Sequence, residues 1–225
     1  MKKRIGITRL AVGLSAPLAA QAQGTIYLSN LGQPSVGSAA VASDAWIAQL
    51  FITGTNSNGY TLNSIQLLTG GATGSPSGFS VMIYNSSPSH PPFNPSSTAP
   101  VNSLGSLSGP DPSVGGVFAY RASGITLSPG TLYFVVLAAA TPVSQGSYVW
   151  QHADNTIILN PTDPWQLHDI YYGSSDGSSW SLHLRQGVFQ LALDATAVPE
   201  PATYVLAGLG LICLNFWRRK IRQIK

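Results

Sequence analysis

The chain reads as all-β: a single β-sandwich, jelly-roll-like, with an export signal before it and a membrane-spanning helix after it. Three observations predict this. Between residues 23 and 197 apolar side chains recur at every second position in short runs bounded by Gly, Pro, Asn and Ser, as in strands with one buried face. No window there longer than a few residues carries the helical period. The stretch Leu132-Tyr133-Phe134-Val135-Val136-Leu137 is continuously apolar, β-branched or aromatic, as expected of a central strand covered on both faces.

The elements follow in order. Trp46, Ala48, Leu50 and Ile52 alternate along one strand, and Asn58-Gly59 supplies a tight turn after it. Tyr60 to Leu68 is the next strand, followed by a Gly/Ser/Thr loop from Gly70 to Gly78. Phe79, Val81 and Ile83 alternate in a further strand, and the proline-rich Ser86 to Pro100 reads as a long surface loop. Gly116 to Ala122 is a strand, and Ser128-Pro129-Gly130 turns the chain into the central Thr131–Ala139 run. Ser147 to His152, Leu167 to Tyr172, Trp180 to Leu184 and Val188 to Leu193 complete roughly ten short strands. Trp46 and Trp150 are expected to fill the core.

The two ends have a different character. Lys2, Lys3, Arg4 and Arg9 precede a short apolar run from Leu10 to Ala20, and Ala20-Gln21-Ala22 offers small residues at the cleavage positions. Residues 1–22 are therefore expected to be a secretory signal peptide, read by the Sec export machinery. At the other end, Val198-Pro199-Glu200-Pro201 breaks regular structure. Tyr204 to Trp217 is almost purely apolar, and Arg218, Arg219, Lys220, Arg222 and Lys225 close the chain as a cytoplasmic basic stop. Fourteen helical residues reach roughly 21 Å against a hydrocarbon core of about 30 Å. Such a helix anchors marginally in the inner membrane, and positive-inside orientation puts residues 23–197 on the periplasmic side.

Composition changes once these segments are set aside. Of 11 Lys and Arg, four lie in the leader and five in the tail, leaving Arg121 and Arg185. Seven of the eight acids remain, all Asp, so the domain carries a charge of about −5 although the whole chain is +3. Two arginines against seven aspartates leave no basic patch to neutralise phosphates, which argues against nucleic acid as a partner. The single cysteine, Cys213, lies in the apolar tail, so the domain cannot use disulfides.

The order Pro-Glu-Pro, apolar segment, basic end resembles the PEP-CTERM sorting signal of exported bacterial proteins, here over residues 198–225. The resemblance implies recognition at Val198–Pro201 by a membrane-embedded exosortase, removal of the tail and passage to the cell surface or beyond. A second resemblance covers about Gln49 to Trp150. Gln49-Leu50-Phe51-Ile52-Thr53-Gly54, Gly59-Tyr60-Thr61-Leu62-Asn63-Ser64-Ile65 and Gly124-Ile125-Thr126-Leu127-Ser128-Pro129-Gly130-Thr131 are similar to the choice-of-anchor family of bacterial surface domains, R-type. It implies an extracellular β-sandwich and brings no catalytic residues.

Candidate chemistry is sparse. Gly173-Ser174-Ser175-Asp176-Gly177 matches G-x-S-x-G formally, but two aromatic-rich strands flank it where a nucleophile elbow needs a following helix. It reads as a hairpin loop. The histidines His90, His152, His168 and His183 show no zinc-site spacing. No cofactor is expected; the nearest approach to a metal set is Asp154, Asp163, Asp169 and Asp176, a loop cluster that calcium could use. A glycosidase needs two facing carboxylates, and only pairs such as Asp169 and Asp176 are on offer. Trp165, Trp180, Tyr171 and Tyr172 are the candidates for stacking on extracellular polysaccharide, with Trp165 expected to be exposed in a Pro161/Pro164 loop. The expectation is a non-enzymatic surface or matrix protein associated with exopolysaccharide or biofilm; the alternative is a secreted carbohydrate-binding module, or less readily a weak hydrolase.

Overall fold

The computed structural model describes residues 24–87, 94, 98–154, 163, 165–184 and 187–199. The expected signal peptide with Ala20 and Ala22, Glu200 and Pro201, the 204–217 helix, and Arg218, Arg219 and Lys220 lie outside these residues. Within them the chain is all-β, with no helix. The strands are β1 (Thr25–Ser29), β2 (Gly37–Val41), β3 (Trp46–Ile52), β4 (Tyr60–Thr69), β5 (Thr73–Gly74), β6 (Ser80–Ser87), β7 (Ala99–Leu107) and β8 (Gly116–Arg121). They continue as β9 (Thr126–Leu127), β10 (Leu132–Ala138), β11 (Gly146–Ala153), β12 (Gln166–Ser174), β13 (Ser181–Leu184), β14 (Val188–Phe189) and β15 (Leu191–Ala197).

Two antiparallel sheets result. One runs β1-β15-β4-β11-β14, with β2 and β5 joined to β11 and β8 and β9 joined to β4. The other runs β13-β12-β3-β10-β6-β7. Their facing side chains share one core: Leu28, Ile65, Leu67, Leu191 and Leu193 come from the first sheet, and Phe51, Ile83, Val135 and Leu137 from the second. The second sheet carries another apolar cluster on its opposite face, built on Leu50, Leu132, Phe134, Val136, Ile170 and Tyr172. That is why β10 reads as an unbroken apolar run, and all seven of its residues are buried.

A polar staple ties the sheets together. Gln49 in β3 is fully buried, a costly position for an amide unless it is satisfied. Its amide nitrogen Nε2 donates to the carbonyls of His168 (2.7 Å) and Ile170 (3.1 Å), where β12 bulges away from β3. Its Oε1 accepts the Phe189 amide across the sandwich at 3.0 Å. Asn30, just past β1, is satisfied within the first sheet: its Oδ1 accepts the Leu191 amide (2.8 Å) and its Nδ2 donates to the Phe189 carbonyl (3.1 Å).

Several sequence expectations need correction. Ser86–Ser87 and Ala99–Pro100 belong to β6 and β7, so the proposed 86–100 loop is shorter at both ends. Val188–Leu193 is not one strand, because Gln190 separates β14 from β15 and pairs instead with Gln151 and Leu68. Trp46 and Trp165 exchange places. Trp46 is only half-buried at the start of β3, with its Nε1 donating to the Ser43 carbonyl at 3.0 Å, whereas Trp165 is fully buried. Trp150 is in the core as expected.

Candidate functional site

The aromatic residues singled out for sugar stacking do not form one exposed platform. Trp165 has 0% exposure and lies in the core, stacked on Tyr27 (5.1 Å, 17°) and Phe51 (5.9 Å, 8°) with its edge to Tyr60 (4.9 Å). Asp163, two positions before it, is tied to the turn after β3: its Oδ1 accepts the Thr55 amide at 2.7 Å and its Oδ2 accepts the Tyr60 hydroxyl. Tyr172 is also buried, edge-on to Phe134 at 5.4 Å. Tyr171 is half-buried on the inner face, stacked on His183 (4.8 Å, 7°) and edge-on to Phe189. Trp180 is half-buried against the outer apolar cluster. Adjacent strand positions point to opposite faces, so Tyr171 and Tyr172 could never share one ligand.

The remaining candidates serve local structure. In the Gly173–Gly177 segment, Ser174 Oγ accepts the amides of Asp176 (3.2 Å) and Gly177 (2.9 Å), and Asp176 Oδ1 accepts those of Ser178 and Ser179 (2.8 Å each). These backbone donors hold the Asp176 carboxyl well below the usual carboxylate range. Gly177 sits at φ 72°, where a side chain would strain the turn, and an added Cβ would also lie 2.8 Å from the Trp46 ring. The segment connects β12 to β13 with no helix after it, so it is a hairpin loop. Among the described residues no three His, Cys, Asp or Glu side chains are grouped as metal ligands. Burial pushes the imidazoles of His152 and His168 below their ordinary pKa, partly opposed by Asp154 and Asp169.

The feature that sequence reasoning missed is the junction between the domain and the tail. β15 pairs with β4 down to Ala197 opposite Tyr60. The ladder then continues, with the Val198 amide donating to the Gly59 carbonyl at 3.0 Å. From the turn between β3 and β4, Asn56 Nδ2 donates to the Val198 carbonyl (3.2 Å) and Asn58 Nδ2 to the Pro199 carbonyl (2.9 Å). The turn itself is fixed from below. Tyr60 Oη accepts the Asn56 amide at 2.9 Å while donating to Asp163, and burial with that hydrogen bond raises the Tyr60 pKa far above its ordinary value. Gly54, beneath the same contact, has no room for a side chain: a Cβ there would come within 1.9 Å of Asp163 Oδ1. The neighbouring Ser128–Gly130 turn is tied in as well, through Thr53 Oγ1 to the Ser128 carbonyl (2.6 Å) and the Gly130 amide to the Gly54 carbonyl (2.7 Å).

That junction coincides with the stretch that comparison identifies. No curated protein and no solved structure shows significant similarity to this chain. Residues 197–220 match the PEP-CTERM protein-sorting motif, so the chain carries the signal of an exported, membrane-anchored precursor that an exosortase processes and that is sorted to the cell surface.

Proposed function

We propose that the protein is a non-catalytic surface or matrix protein, delivered through its sorting motif to a polysaccharide-rich extracellular layer such as a biofilm. Its domain is of the choice-of-anchor type, R-type, and sits on the periplasmic side of the inner membrane until the tail is removed. In that removal one peptide C–N bond breaks, the acyl carbon passes to water or another nucleophile, and the tail leaves as a free amine. The observation that carries the reading is the sorting motif attached to a charge-poor, mildly acidic β domain whose candidate groups are engaged in structure. Asp163 and Asp176 hold backbone amides, and Trp165 and Tyr172 hold the core. The test is fractionation of the extracellular matrix from an exosortase-bearing host. The protein is expected with the polysaccharide fraction, and hydrolysis of none of a panel of glycan and ester substrates is expected. Recovery only in the free soluble fraction, or turnover of any such substrate, would refute it.

A further inference from the structure

Resting on the exosortase-processing reading, we infer that the end of the sandwich bearing the Thr53–Gly59 and Ser128–Gly130 turns faces the membrane enzyme, with Asn56 and Asn58 as positioning residues for its substrate. Three independent observations converge there. First, the sorting motif begins inside the fold: Val198 extends the β15 ladder, and the carbonyls of Val198 and Pro199 are each caught by an asparagine amide. Second, both described ends of the chain leave from the same end of the sandwich. Thr25 at the start of β1 pairs with Ala195 near the end of β15, so the first described strand begins beside the point where the last one runs into the sorting motif. Third, the turn is preorganised, because Tyr60, Asp163 and Gly54 fix it from the core side.

Geometry turns these contacts into a constraint on processing. Only Glu200 to Thr203 separate Pro199 from the apolar Tyr204–Trp217 segment, at most about 18 Å of extended chain. With the turn engaged, the domain therefore stands close to the bilayer and hands over the motif with its first two residues already ordered. Thr53–Gly59 and Ser128–Gly130 contain no charged side chain, and the carboxylate tied to this face, Asp163, is engaged by the Thr55 amide and the Tyr60 hydroxyl. Freeing the two carbonyls would oblige the enzyme to order that backbone itself.

The test uses the full chain in an exosortase-bearing host, with tail removal followed by pulse-chase and intact mass. Asn56 Nδ2 also donates to the Gly59 carbonyl within the turn (2.5 Å), so Asn56→Ala/Asn58→Ala is expected to slow removal about tenfold with a modest fall in the thermal midpoint, and Asn58→Ala alone to slow removal with the midpoint little changed. A second variant inserts four Gly/Ser residues between Ala197 and Val198, leaving every domain residue in place. It is expected to slow removal to a similar extent, and adding the Asn replacements to it should have no further effect. Removal at the unaltered or a faster rate in any of these variants overturns the proposal. Should the double Ala variant fail to fold, Asn58→Ala and the insertion variant decide. An unaltered chain that keeps its tail in the exosortase-bearing host would instead overturn the processing reading on which this one rests.

Discussion

Trp165→Ala distinguishes a core residue from a glycan-binding one. The indole is fully buried and contacts three rings, two stacked and one edge-on, at centroid distances between 4.9 and 5.9 Å. Truncating a buried Trp costs about 3–5 kcal/mol. Loss of three aromatic pairings, each worth about 0.5–1.5 kcal/mol beyond area, puts this site toward the upper end, about 4–5 kcal/mol. Against a total stability of about 5–15 kcal/mol, that is a large fraction. At about 2–4 °C per kcal/mol for a domain of this size, the midpoint should fall by about 10–15 °C. Circular-dichroism melting of the exported protein reads it directly, with half-buried Trp180→Ala as comparison and a much smaller fall expected there. A Trp165→Ala midpoint within about 3 °C of the unaltered protein, together with lost polysaccharide retention, would refute the core assignment.

Two further outcomes follow from buried polar groups. Gln49→Leu removes the acceptor of the Phe189 amide and a donor to the His168 and Ile170 carbonyls, so urea denaturation should show a loss of about 3 kcal/mol; a neutral result would mean the staple is dispensable. For His152 and His168, burial lowers the folded-state pKa, so the unfolded chain binds protons first. Stability should then be full above about pH 6.5 and fall as pH drops through that value. Denaturation midpoints between about pH 8 and pH 5.5 measure this, and a midpoint that is flat or rises on acidification would contradict it.

Where burial decides the residue types, the fold was legible in the sequence. The β10 run and the alternation of β4 and β6 are visible because each face has one environment. By contrast β3, expected to bury one face through Trp46, Ala48, Leu50 and Ile52, is buried on both, with Ile47, Gln49 and Phe51 in the shared core. β1, β2 and β7 were not visible: Gly37–Val41 is built from small residues, and Ala99–Leu107 is a largely exposed edge strand that tolerates Pro100. Trp165 misled for a tertiary reason. Its flanking prolines do signal irregular backbone, but the Asp163 contacts with Thr55 and Tyr60, 108 and 103 positions away, draw that backbone onto the core. The sorting motif was legible as order and composition. Its grip by Asn56 and Asn58 was not, because Asn58-Gly59 gives a complete account of itself as a turn and the partners lie more than 140 positions away.

The central claim is that the tail is a processed sorting signal, and the intact mass of the exported protein tests it most directly. In a host with an active exosortase the mature chain should lack Arg218–Lys225 and the apolar segment before it, and in the same host without the enzyme it should retain them. A mature protein that keeps the complete tail in both hosts would contradict the account.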